Sequence, residues 1–199
     1  MSNEMSRIFT YWTKETASAD AQPLITRSLQ NYGFLPKLHA VLAQAPAAYQ
    51  AYLDTFALFE QHSSFTALEQ QVVFMTANYE NNCHYCVPGH SFLMQHKGMP
   101  AAVIEALREG KVIPDAKLQA LREYTRLLIE KRGHLSTAEI NAFLAAGYDQ
   151  RQALEVLVGL ASKLISNFTN ALAHTELDEA VKPFAWTHPD QRNATSVLS

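Results

Sequence analysis

The sequence predicts an all-α protein, a single-domain helical bundle of about eight helices. Three observations carry that reading. Apolar residues recur three and four apart along most of the chain, the spacing of one helix face. Two capping boxes, Thr66 with Glu69 and Ser136 with Glu139, each follow an apolar residue placed as a staple, Phe65 and Leu135. No stretch alternates apolar and polar residues as a half-buried strand does.

Taken in order, residues 6–14 and 21–32 read as amphipathic helices, the second stopped by Gly33. Pro36 and Pro46 fit first helical turns. The helices they open carry Leu38, Val41 and Leu42, then Tyr49, Leu53, Phe56 and Phe59. The helix capped by Thr66 continues through Val72, Met75, Thr76 and Tyr79 to the break at Asn81-Asn82. Beyond the next helix, Gly98 and Pro100 separate it from one over 101–108, and Pro114 opens another that closes near Gly133. Ser136 starts a short helix ending at Gly147. The most periodic run follows, with Leu154, Leu157, Ala161, Leu164, Phe168 and Leu172 at helical spacing. Residues 1–20 form an N-terminal segment expected to pack on the body or on a neighbour, and residues 187–199 a polar C-terminal tail.

Composition narrows the function. The chain has 199 residues, 48% hydrophobic and 18% charged, with a net charge of −3. That is an ordinary globular profile without the basic block that tracks a phosphate backbone, so no nucleic acid is expected as partner. Residues 1–7 show neither the basic nor the apolar region of a secretory signal, and no stretch is expected to reach the roughly 20 apolar residues that a membrane-spanning helix needs. The expected compartment is a reducing cytoplasm, with no membrane partner.

The chemistry concentrates in Asn82-Cys83-His84-Tyr85-Cys86-Val87-Pro88-Gly89-His90, which holds the only two cysteines. On a helix, Cys83 and Cys86 share a face, and His90 follows Cys86 one turn on. Asn82 reads as the N-cap of a helix starting at Cys83, whose unpaired amides and dipole favour a thiolate. Pro88, six residues in, would kink that helix. His90 can accept or deliver a proton. One thiolate attacks an electrophilic oxygen or sulfur, the other resolves the adduct as a disulfide, and an external reductant restores the dithiol. Two buried, inert thiols or a zinc site compete with this reading. Zinc would need a fourth ligand beside Cys83, Cys86 and His90, such as His84 or His96.

The span 66–90, with Leu68-Glu69, an apolar helix, Asn81-Asn82, Cys83-x-Tyr85-Cys86 and His90, resembles the alkylhydroperoxidase D and carboxymuconolactone decarboxylase family. The helical pattern from about residue 33 to 186 is compatible with that family, so 21–186 is expected to be one alkylhydroperoxidase D-like domain. The resemblance implies a thiol peroxidase for antioxidant defence, with Cys86 peroxidatic, Cys83 resolving and His90 relaying protons. It also implies a hydroperoxide substrate, a dithiol or lipoyl-type reductant, a homo-oligomer (a trimer or hexamer) and no cofactor.

Two positions depart from the family. Gln71 stands where its best-known members place a relay glutamate, twelve residues before the first cysteine. Glu69 and Glu80 are the candidate substitutes, although residues two apart on a helix point in different directions. Tyr85 stands where those members have a histidine. A carboxymuconolactone-type decarboxylase and a non-enzymatic zinc-binding or assembly protein are the alternatives. The remaining histidines, His39 among them, read as surface or capped residues. Tyr49, Tyr52, Phe56 and Phe59 read as core, interface or pocket.

Overall fold

The computed structural model describes residues 8–196, with side chains to residue 192. Among them the chain forms ten α-helices and one 3-10 turn, with no strand. The all-α expectation holds, and the count exceeds the expected eight because short helices bracket the long ones. They are α1 (Gln22–Tyr32), α2 (Lys37–Leu42), α3 (Pro46–His62), α4 (Ala67–Glu80), α5 (Cys86–His96), α6 (Ala101–Glu109), α7 (Ala116–Glu130), α8 (Thr137–Ala145), α9 (Gln150–Ala173) and α10 (Pro189–Ser196).

Helix α4 is the axis of the bundle. Every residue from Glu69 to Asn78 is buried, and a helix enclosed on all sides must be packed all round. It lies against α7, α9, α5 and α6, while α3 runs along α9. Gly159 makes the α3–α9 approach close, since a Cβ there would meet Val73 and Phe59 at 3.0–3.1 Å. Both expected capping boxes form, at Thr66/Glu69 and Ser136/Glu139, and a third joins Asp149 to Gln152 at the start of α9.

Several expectations for the ends need correction. Ser6 and Arg7 lie outside the described residues, and residues 8–14 hold turns and irregular chain rather than a helix. This segment is tied down by a hydrogen bond from Trp12 N to Ala40 O at 2.9 Å. Near the other end, Pro189–Ser196 is a helix where the sequence reads as an aperiodic tail. Arg192 pairs with Glu109 at 2.7 Å, and Trp186 Nε1 donates to Arg108 O at 2.8 Å. His39 is buried, with Nδ1 2.7 Å from Ser28 Oγ. Burial drives its pKa down to about 3, so it is a neutral core residue.

Candidate redox site

The turn that delivers the thiols differs from the sequence reading. Asn82 does not cap the following helix; it ends α4. Its backbone is left-handed, φ 49, a conformation that asparagine tolerates better than most residues. Asn82 N donates to Tyr79 O and Cys83 N to Asn78 O, both at 2.9 Å. That pair of bonds is a Schellman closure with Asn82 at the left-handed position.

Cys83 therefore sits in the connecting turn, and Cys86 is the first residue of α5. Pro88 falls in the first turn, where no helical N–H is needed, and the expected kink has no cause. Tyr85, between the cysteines, is a structural anchor. Its hydroxyl donates to Asp178 Oδ2 and accepts from Leu38 N.

Both cysteines are free and buried. Cys86 N donates to Cys83 Sγ at 3.3 Å. Asn170 Nδ2, on α9, reaches Cys86 Sγ at 3.3 Å and Cys83 Sγ at 3.9 Å. Burial pushes the Cys86 thiol up. The hydrogen bond with Cys83, the Lys163 charge and the Asn167 and Asn170 amides outweigh burial and bring it down to about 6. Cys83 moves the other way, raised first by its hydrogen bond to Cys86 and then by burial. The pair thus divides into a thiolate at Cys86 and a thiol at Cys83.

His90 lies one turn beyond Cys86, as its spacing predicts, and both of its ring nitrogens are engaged. Nδ1 is 2.7 Å from Gln71 Oε1 on α4, and Nε2 is 2.9 Å from Lys163 Nζ on α9. Burial, then the charges of Lys163 and Lys97, hold His90 well below its ordinary pKa. Lys163 is itself buried, with its ammonium 5.0 Å from the Phe74 ring centroid and 5.8 Å from that of Phe56. Burial lowers its pKa, while the cysteines and Glu60 act against that.

The two candidate carboxylates are elsewhere. Glu69 accepts from Thr66 N and Oγ1 at 2.9 Å and pairs with Lys117 at 3.2 Å, which completes the cap of α4. The charges acting on Glu80 are Arg126, Arg122, Glu130 and His188, none of them in the thiol site. Neither glutamate is hydrogen-bonded to Cys83, Cys86 or His90 among the described residues. The Gln71 position points at His90, and the sequence reasoning set it aside because it lacked a carboxylate. Lys163 and Asn170 were missed altogether. Their signal was a polar stripe, Ser162, Lys163, Ser166, Asn167 and Asn170, opposite the leucines of the same helix.

The zinc reading has no assembled site: among the described residues no group of three or more His, Cys, Asp or Glu side chains is placed to hold a metal ion. His84 Nε2 donates to Thr175 O at 2.8 Å, and His96 Nδ1 to Phe92 O at 2.9 Å. Of the four aromatic residues on α3, Tyr49, Tyr52 and Phe59 are core. Phe56 lines a cleft of about 430 Å³ together with Arg27, Asn31, Tyr32 and Glu60. Its ring centroid is 6.4 Å from that of His90.

The fold is alkylhydroperoxidase D-like. A peroxidase-related protein from Ralstonia eutropha, described as an alkylhydroperoxidase AhpD core, superposes with a TM-score of 0.76 at 16% identity, covering 89% of this chain and 95% of that one. A peroxidase-related protein from Silicibacter sp. gives 0.74 at 14% identity, covering 91% and 97%. The debrominase Bmp8, in a cysteine-to-alanine variant bound to 2,3,4-tribromopyrrole, gives 0.73 at 16% identity, covering 90% and 96%. No family model and no curated protein sequence matches the chain.

Proposed function

We propose that this protein is a thiol-dependent hydroperoxide reductase, with Cys86 as the attacking thiolate and Cys83 as the resolving thiol. One observation carries the reading. A buried dithiol is electrostatically divided between its two sulfurs beside a hydrogen-bonded chain of Gln71, His90 and Lys163. The thiolate supplies the nucleophile, and its neighbour, whose sulfur accepts from Cys86 N at 3.3 Å, resolves the adduct as a disulfide. A dithiol of lipoyl type then restores the reduced pair, in keeping with the reducing cytoplasm expected for the chain. The cleft at Phe56 is the proposed way in for the organic part of the peroxide, since both sulfurs are enclosed.

The test is a count of free thiols before and after a hydroperoxide. Cys86→Ser is expected to abolish turnover. Cys83→Ser is expected to stop at a sulfenic acid, trapped by a dimedone-type reagent. Full turnover in Cys86→Ser overturns the proposal. A cofactor-independent decarboxylase is less well supported, because the buried site holds one lysine rather than a cluster of cations.

A second reading rests on the debrominase neighbour, which has comparable coverage of the chain. The same dithiol would then reduce a carbon–bromine bond. Bromide release from a brominated pyrrole, measured beside alcohol formation from a hydroperoxide, separates the two.

The proposal extends to assembly. Leu154, Leu157, Leu164, Phe168 and Leu172 form an exposed stripe along α9. A second copy of the chain is the proposed cover, in line with the homo-oligomer that the resemblance implies.

A further inference from the structure

A thiolate that cleaves an O–O bond expels an alkoxide, and that alkoxide needs a proton in a site from which water is excluded. His90 is the expected donor, and its surroundings argue against that role. Gln71 Oε1 is an acceptor, so the Nδ1 facing it at 2.7 Å carries hydrogen. Nε2 then presents its lone pair to the Lys163 ammonium at 2.9 Å. With Lys163 charged, one assignment satisfies both contacts: a neutral imidazole whose only N–H is committed to Gln71, the form that burial and the Lys163 charge favour. A glutamate at position 71 would stabilise an imidazolium. The amide does not, and an ammonium one hydrogen bond away opposes a second positive charge. His90 therefore has no proton to spare.

Lys163 does. Its ammonium has three donors, one of which goes to His90, and it lies in the electrostatic field of both cysteines. The groups that face it are His90 from α5, Cys83 from the connecting turn and Cys86 at the start of α5, Glu60 from α3, and the rings of Phe56 and Phe74. Lys97 acts on the same pocket through His90.

Resting on the peroxide-reductase reading, we propose that Lys163 Nζ is the acid that protonates the leaving alkoxide and that His90 is the positioning residue holding it. In the step, Cys86 thiolate attacks the terminal peroxide oxygen. An S–O bond forms and the O–O bond breaks. Cys86 is oxidised by two electrons to a sulfenic acid, and the peroxide is reduced to an alcohol as the alkoxide takes a proton from Lys163. Cys83 thiol then displaces the sulfenic hydroxyl as water, giving the disulfide. A dithiol reduces that disulfide, and the regenerated Cys86 thiol returns a proton to Lys163 as it ionises. The lowered pKa of the buried lysine suits this duty, because an acid works best when its affinity for the proton lies near the working pH. The departure at Gln71 and the lysine on α9 become one feature, an exchange of the usual carboxylate-backed histidine for a histidine-backed lysine.

The test compares two oxidants in single turnover. A tert-alkyl hydroperoxide expels an alkoxide that needs a proton. A peracid expels a carboxylate that does not. In Lys163→Met, the ratio of the peracid rate to the hydroperoxide rate is expected to rise by about 100-fold or more. Loss of thiolate affects both oxidants alike and cancels in the ratio, as does any loss of folded protein. Lys163→Arg keeps a cation beside Cys86 but cannot release a proton. It should retain the thiolate absorbance of Cys86 and still show the raised ratio. His90→Leu should raise the ratio, and His90→Gln, which keeps an acceptor for the ammonium, should leave it near wild type.

A ratio unchanged in Lys163→Met, or restored in Lys163→Arg, overturns the acid role. An unchanged ratio in His90→Leu overturns the positioning role. Failure of the wild-type protein to be oxidised by either reagent instead sinks the reductase reading on which the proposal rests.

Discussion

At the scale of single residues, the surroundings shift the two thiols in opposite directions, Cys86 down and Cys83 up, which favours an anion beside a neutral thiol. Neither cysteine could do this alone, because burial raises both. The hydrogen bond from Cys83, then the charge of Lys163 and the amides of Asn167 and Asn170, put the charge on Cys86. The pH consequence has a definite sign. Cys86 loses its charge only as pH falls through about 6, whereas an ordinary thiol does so nearer 8.5. The rate of its alkylation by iodoacetamide should therefore be flat from about pH 7 upward and fall below about 6. An inflection above about 8 would show that burial wins. The two cysteines and His90 were legible in the sequence because their spacing is local and needs no tertiary contact. Lys163 lies 73 residues from His90, and no local pattern reports that they meet.

At the scale of elements, two helices were read correctly as helices and incompletely as parts. The Thr66–Glu69 box was legible because both halves lie within one turn, and the structure assigns Glu69 to that cap and to Lys117. Thr66→Ala should cost about 1 kcal/mol of unfolding free energy in a denaturant titration. Glu69→Gln should leave the rate of thiol oxidation unchanged, and a large loss of that rate would restore Glu69 to the relay. The turn at Asn82 was misplaced by assignment rather than by position. Asparagine serves equally as an N-cap and as a left-handed C-terminal residue, and only the two 2.9 Å backbone bonds distinguish them. Helix α9 teaches the larger lesson. Periodicity states which residues share a face but not which way that face looks. Here the leucines look outward, with Leu154 68% and Leu172 67% exposed, and the polar stripe lines the site.

At the scale of the whole molecule, that inversion bears on assembly. Helix α9 is long and apolar enough to cross a membrane by length and composition, yet 44% of its apolar window is buried inside the fold. Its inward face carries Lys163, Ser166 and Asn170, which fits a wall of the dithiol site. The outward stripe, continued by Ile129, Leu160 and Ala161 around a cleft of about 460 Å³, suits a second copy. Leu164→Glu with Phe168→Glu should shift the sedimentation coefficient to that of a monomer. A wild-type protein that already sediments as a monomer at micromolar concentration would remove the assembly proposal. The fold class was legible because capping, periodicity and punctuation agree at every level. The assembly face was not, since an exposed apolar stripe and a buried one look alike in sequence.

The central claim is that Cys83 and Cys86 cycle between dithiol and disulfide at the expense of a peroxide. The most direct measurement is a thiol titration of the denatured protein after exposure to an organic hydroperoxide. The account predicts that both thiols per chain disappear and that both return after treatment with a lipoyl-type dithiol. Two thiols still present after prolonged exposure would contradict it.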